Sequence, residues 1–129
     1  MAKVKKTNEF EYRLTIAPHV NERRQIPTVL ITIETMKAFA SFRYELSVQE
    51  KRNGKKILYT ILGLKTPQLS LPASGTAQFI QEYDDLKGKH TIEVESLDGT
   101  TNEFTVNFTQ KKMKVLSSPQ TPFIELVVA

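Results

Sequence analysis

From Leu86 to Thr109, apolar and polar side chains alternate on both sides of Asp98-Gly99. His90, Ile92 and Val94 share one face of the first arm, opposite Lys89, Thr91, Glu93 and Glu95. Phe104, Val106 and Phe108 share a face of the second, opposite Glu103, Thr105, Asn107 and Thr109. Strand side chains alternate between faces, so residues paired across a hairpin must match in face. A two-residue Asp98-Gly99 loop sets Val94 against Glu103 and fails that test. A three-residue loop, Leu97-Asp98-Gly99, sets Ile92 against Phe104 and His90 against Val106. It also puts Gly99 at the left-handed position of a type I turn with a G1 bulge, which a residue without Cβ adopts freely. The bulged turn is expected.

The same alternation recurs along the chain. Phe10, Tyr12, Leu14 and Ile16 alternate with Glu11, Arg13 and Thr15, the pattern of a half-buried strand. Pro18 is expected to end it, leaving His19 to Pro27, with Arg23-Arg24, as a polar loop. A second strand is expected over Thr28 to Thr35 with Val29, Ile31 and Ile33 inward, and a helical turn or irregular corner over Met36 to Ala40. Phe42, Tyr44, Leu46 and Val48 then lead to Asn53-Gly54, a favoured pair for a type I′ turn. A two-residue loop there pairs Val48 with Tyr59, Leu46 with Ile61 and Ser47 with Thr60. Pro67 and Pro72 bracket Gln68 to Leu71, which suits a short edge strand. Thr76 to Glu82 carries Ala77 and Phe79 inward, and Asp84-Asp85 with Gly88 forms a corner. Ser117 to Pro122 reads as a loop, and Phe123 to Val128 as a final strand docked on the domain's own sheet. The sum is an all-β fold, an antiparallel immunoglobulin-like β-sandwich of about seven to nine strands. Residues 1–8 form a basic N-terminal tail and residues 9–129 a single domain.

Composition narrows the chemistry. At 129 residues, 40% hydrophobic and 25% charged, the chain has the make-up of one ordinary globular domain. It has no cysteine, so disulfides, thiolate nucleophiles and thiolate-ligated zinc are excluded. The net charge of +4 permits acidic partners but falls short of a dedicated nucleic-acid binder unless the cations cluster. No apolar run is long enough to span a membrane as a helix. The basic start runs into a polar-alternating strand rather than a signal h-region. A cytoplasmic location is expected for the chain as it stands, and an extracellular or periplasmic one if it is excised from a longer protein.

Around the corner, Leu86, Gly88, Ile92, Val94 and Gly99 resemble the E–F corner of fibronectin type III-like and other immunoglobulin-like domains. In those families a tyrosine, whose hydroxyl bonds back to the corner, stands where this chain has His90. The resemblance implies a fold superfamily that hosts many functions. The chain lacks both the tryptophan and the cysteine pair of antibody domains.

Candidate chemistry is sparse. His90 lies on an inward face and reads as a core or corner residue rather than a base. His19 sits in a polar segment with no second histidine at ligand spacing. Glu82, Asp84 and Asp85 offer oxygens for calcium, but without the alternating loop pattern that marks such sites. Glu93, Glu95 and Glu103 share an outward face, and Thr91 and Thr105 beside them mark it as solvated. Asn107-Phe108-Thr109 is a glycosylation triplet by pattern. The basic residues are more suggestive: Lys51, Arg52, Lys55 and Lys56 crowd the Asn53-Gly54 tip, and Lys111, Lys112 and Lys114 follow the later hairpin. Neither cluster contains an aromatic side chain on which bases stack.

These features point to a non-enzymatic binding or assembly module with no cofactor and no metal, engaging a protein partner or a neighbouring domain. The alternative is an anion-binding domain that contacts nucleic acid or an acidic surface through Lys51, Arg52, Asn53, Lys55 and Lys56. Carbohydrate binding ranks behind both, because tryptophan is absent.

Overall fold

The computed structural model describes residues 10–39, 44–66, 75–109 and 113–129. The expected tail, the Gln68 to Leu71 strand, Phe42, Lys111 and Lys112 lie outside them. The described residues form nine strands: β1 (Tyr12–Asn21), β2 (Ile26–Phe39), β3 (Glu45–Asn53), β4 (Lys56–Lys65), β5 (Gly75–Tyr83), β6 (Gly88–Glu95), β7 (Thr101–Phe108), β8 (Met113–Ser117) and β9 (Ile124–Val128). They make one sheet in the order β8-β7-β6-β4-β3-β5-β2-β1-β9, which curls into a nearly closed barrel.

The all-β expectation and the upper strand count hold. The clean antiparallel sandwich does not, because the sheet is mixed: β9 runs parallel to β1, β6 to β4 and β5 to β3. Alternation determines which side chains face inward but says nothing about which strands become neighbours. Here the β3–β4 hairpin inserts between β5 and β6 and meets a parallel strand on each side. The β3–β5 junction is narrow, with only Glu45 and Gln78 in register.

Inward side chains fill the barrel. Leu14 and Ile16 of β1, Ile31 and Ile33 of β2, Ile57, Tyr59 and Ile61 of β4, and Ile92 and Val94 of β6 are buried. Phe104, Val106 and Phe108 of β7 and Ile124 of β9 join them. Full burial of one such side chain contributes about 1.5–3 kcal/mol, so this shared interior is the main source of stability. Among the described residues every buried polar side-chain atom has a hydrogen-bond partner. Thr35 Oγ1 donates to Lys37 O at 2.8 Å and accepts from Ala77 N at 3.0 Å. Asn102 Oδ1 accepts from Phe123 N at 2.7 Å, anchoring the approach to β9.

The β6–β7 hairpin has the expected register, with Ile92 opposite Phe104 and His90 opposite Val106. Ser96 N donates to Thr100 O at 2.8 Å and Gly99 N to Ser96 O at 3.1 Å, which closes the bulged turn around Gly99 at φ +88°. The β3–β4 turn differs. Asn53 pairs with Lys56, so the loop is Gly54-Lys55, and Val48 meets Ile61 while Glu50 meets Tyr59. Of the two loop residues only Gly54 has positive φ, +61°, as a type II′ turn requires at its first central position. From Val48 to Asn53 the observed pairing is offset by two residues from the expected one, which keeps those side chains on their expected faces. A bulge between Ser47 and Val48 then sets Ser47 opposite Gly63 and Leu46 opposite Leu64.

Two further boundaries differ. β1 runs through Pro18 to Asn21. β9 ends opposite Ile16, so no described strand lies beside the outer edge of β1 at Pro18, and a missing N–H is tolerated there. Met36–Phe39 continue β2 across a register shift instead of turning, with Ala38 opposite Thr76. The β1–β2 loop closes with Gln25 N donating to Asn21 O at 2.7 Å, and Gln25 takes φ +56°.

Candidate functional site

The β3–β4 tip lies against the β5–β6 corner, residues 84–87. Lys55 Nζ donates to Lys87 O at 2.9 Å, and Thr91 N donates to Lys55 O at 2.9 Å. Arg52 Nη1 lies 3.1 Å from Asp85 Oδ1, and its guanidinium stands 5.7 Å from the centre of the Tyr83 ring. Both contacts follow from strand parity. Arg52 shares the inward face of β3 with Leu46, Val48 and Glu50, so at the end of the barrel it folds over Tyr83.

Lys56 is on the outer face, where Glu93 and Glu103 stand directly opposite each other across β6 and β7. Its Nζ lies 3.1 Å from Glu93 Oε1 and 3.9 Å from Glu103 Oε2. Two like charges placed opposite repel, and the lysine between them offsets that. Asn53 is exposed beside Lys56. Lys51 points to the outer face and has no side-chain partner among the described residues. The structure thus brings the five tip residues together in the chain but divides their charges among two faces and the corner. Three of the four cations already hold partners of this chain.

The acidic corner is divided in the same way. Asp84 Oδ2 accepts from Arg24 Nη1 at 2.8 Å, and Asp85 faces Arg52. Arg24 holds the Asp84 carboxyl below its usual range. Glu82 accepts from Thr28 Oγ1 at 2.7 Å and from Asn21 Nδ2 at 3.2 Å, which lowers it as well. Carboxylates neutralised by arginines are poor calcium ligands, and no metal-ligating cluster occurs among the described residues.

Beneath the tip lies a cluster the sequence did not announce. The Tyr59 hydroxyl donates to the Tyr83 hydroxyl at 2.6 Å, and Tyr83 in turn donates to Glu50 Oε2. The order of donation follows from Glu50, which as a carboxylate only accepts. Burial pushes both phenols well above their ordinary pKa, the opposite of what activates a tyrosine as a base or nucleophile. The signal was present as two tyrosines and a glutamate on inward positions, but only the strand order brings them together.

His90 is buried, 5.5 Å from Phe108 edge-on, with Nδ1 3.4 Å from Gly88 O. Its burial lowers the imidazole pKa. It packs the corner rather than facing a cleft. His19 is exposed on the outer face, opposite Thr28. Asn107 is the penultimate residue of β7, paired with Lys89 of β6 and Lys114 of β8. No family model, curated protein or solved structure matches the chain.

Proposed function

We propose that the domain is a non-enzymatic binding and assembly module that engages a protein partner along the open edge of β8. The observation that carries this reading is the strand order. β8 pairs with β7 on one side, and no described strand lies on its other side. An unpaired strand edge presents backbone donors and acceptors to which an extended segment adds as a further strand. This edge is lightly defended: Leu116 is 47% exposed, and Lys114 is the one charge on the strand.

The anion-binding alternative has less support. An incoming phosphate at the tip competes with Asp85 for Arg52, with Lys87 O for Lys55 and with two glutamates for Lys56. Lys51 alone is uncommitted.

The edge reading is tested by isolating the protein with its native partners and comparing wild type with Leu116→Lys. The wild type is expected to elute as a complex and the variant as the lone chain, with unchanged circular dichroism. A complex of the same size from both proteins overturns the edge as the contact.

A further inference from the structure

At the end of the barrel beneath the β5–β6 corner, the packed core stops short of the rim. The result is an open cleft of about 800 Å³, within the size range of small-ligand sites. Pro18, Val20, Pro27, Val29, Leu86 and Met113 form its apolar wall. Val20 follows the inward set of β1 yet is 57% exposed, an apolar side chain at the mouth of the cleft. The polar groups around the mouth are mostly engaged. Thr28 donates to Glu82, the Tyr83 hydroxyl bonds Glu50 and Tyr59, and Arg24 neutralises Asp84. Asp84 is the only carboxylate side chain among the described lining residues, which also include His19, Thr109 and Ala129. Lys87 also lines the cleft, is exposed, and has no partner for its ammonium among the described residues.

An apolar mouth with a committed acid and an uncommitted cation at its rim is complementary to one kind of small molecule. We propose that the barrel mouth binds an elongated apolar molecule ending in a carboxylate, a fatty-acid-like amphiphile, with its chain against Val20 and Met113 and its head at Lys87. The cleft meets β8 only at Met113, the first residue of that strand, and does not include Leu116, so amphiphile binding and partner capture are read out independently.

The full-length protein is titrated with decanoate, decanol and decylammonium by calorimetry, with amide chemical shifts locating the site. Decanoate is expected to bind most tightly, with shifts at Val20, Leu86 and Met113. Lys87→Gln is expected to weaken decanoate by about two- to fivefold, the size of an exposed ion pair, and to leave decanol unchanged. Val20→Glu, at an exposed position, is expected to weaken decanoate by at least about tenfold, since it sets a charge against the apolar chain. Failure of all three amphiphiles to bind overturns the proposal. So does decylammonium binding as tightly as decanoate, or decanoate binding that is unaffected by Val20→Glu.

Discussion

Gln25 is the one described non-glycine residue with positive φ, and it closes the β1–β2 loop. A side chain with a Cβ is strained in that conformation, whereas glycine is not. Gln25→Gly is therefore expected to be more stable than Gln25→Ala by about 1 kcal/mol in chemical denaturation. The comparison with alanine cancels the loss of the amide bond to Glu22 O. His90 supplies a pH test. Its folded-state pKa lies below the ordinary value of 6.5 because burial penalises the imidazolium. The unfolded chain thus binds the proton more readily, and His90 costs stability as pH falls through 6.5 toward its folded pKa. Above 6.5 its contribution is constant. A histidine ring titration by NMR is expected to show a midpoint below 6.5, and His90→Gln is expected to flatten stability across that window.

At the scale of elements, the Tyr59–Tyr83–Glu50 chain ties β4, β5 and β3 together where the sheet is most narrowly paired. The two tyrosines are not equivalent. Tyr59→Phe removes the terminal donor and leaves Tyr83 bonded to Glu50, so a loss of about 0.5–1.5 kcal/mol is expected. Tyr83→Phe strips the buried Tyr59 hydroxyl of its acceptor and Glu50 of its donor, and is expected to cost more, about 1–3 kcal/mol. Urea denaturation of the pair checks the order, and equal losses contradict the direction of donation. The hairpins show what local sequence can and cannot specify. At Gly99 the wrong loop length put a polar residue opposite an apolar one, so parity selected the right register. At Gly54 the expected Asn53-Gly54 loop and the observed Gly54-Lys55 loop are displaced by one residue, which moves each partner by two and preserves the faces next to the turn. Parity could not separate them, and the favoured Asn53-Gly54 pair misled. Pro18 misled for a different reason: whether a strand tolerates proline depends on the neighbour beside it, which local sequence does not reveal.

For the whole molecule, strand count, inward faces and much of the core were legible, because alternation reports burial directly. Strand order was not, because pairing of β4 with β6 and of β1 with β9 joins residues far apart in sequence. The candidate tip shows the functional consequence. Lys51, Arg52, Lys55 and Lys56 are a cluster in sequence, but Asp85, Lys87, Glu93 and Glu103 reach them only through the fold. Those contacts secure the hairpin beneath the corner, and the reading proposed above assigns partner contact to the edge of β8, beside which no described strand lies. A photo-crosslinking benzophenone side chain placed at position 116 in one sample and at position 51 in another compares edge and tip directly in the native cellular background. A discrete protein adduct is expected from position 116 and none from position 51. An adduct from position 51 alone, whether to protein or to nucleic acid, contradicts partner contact at the β8 edge.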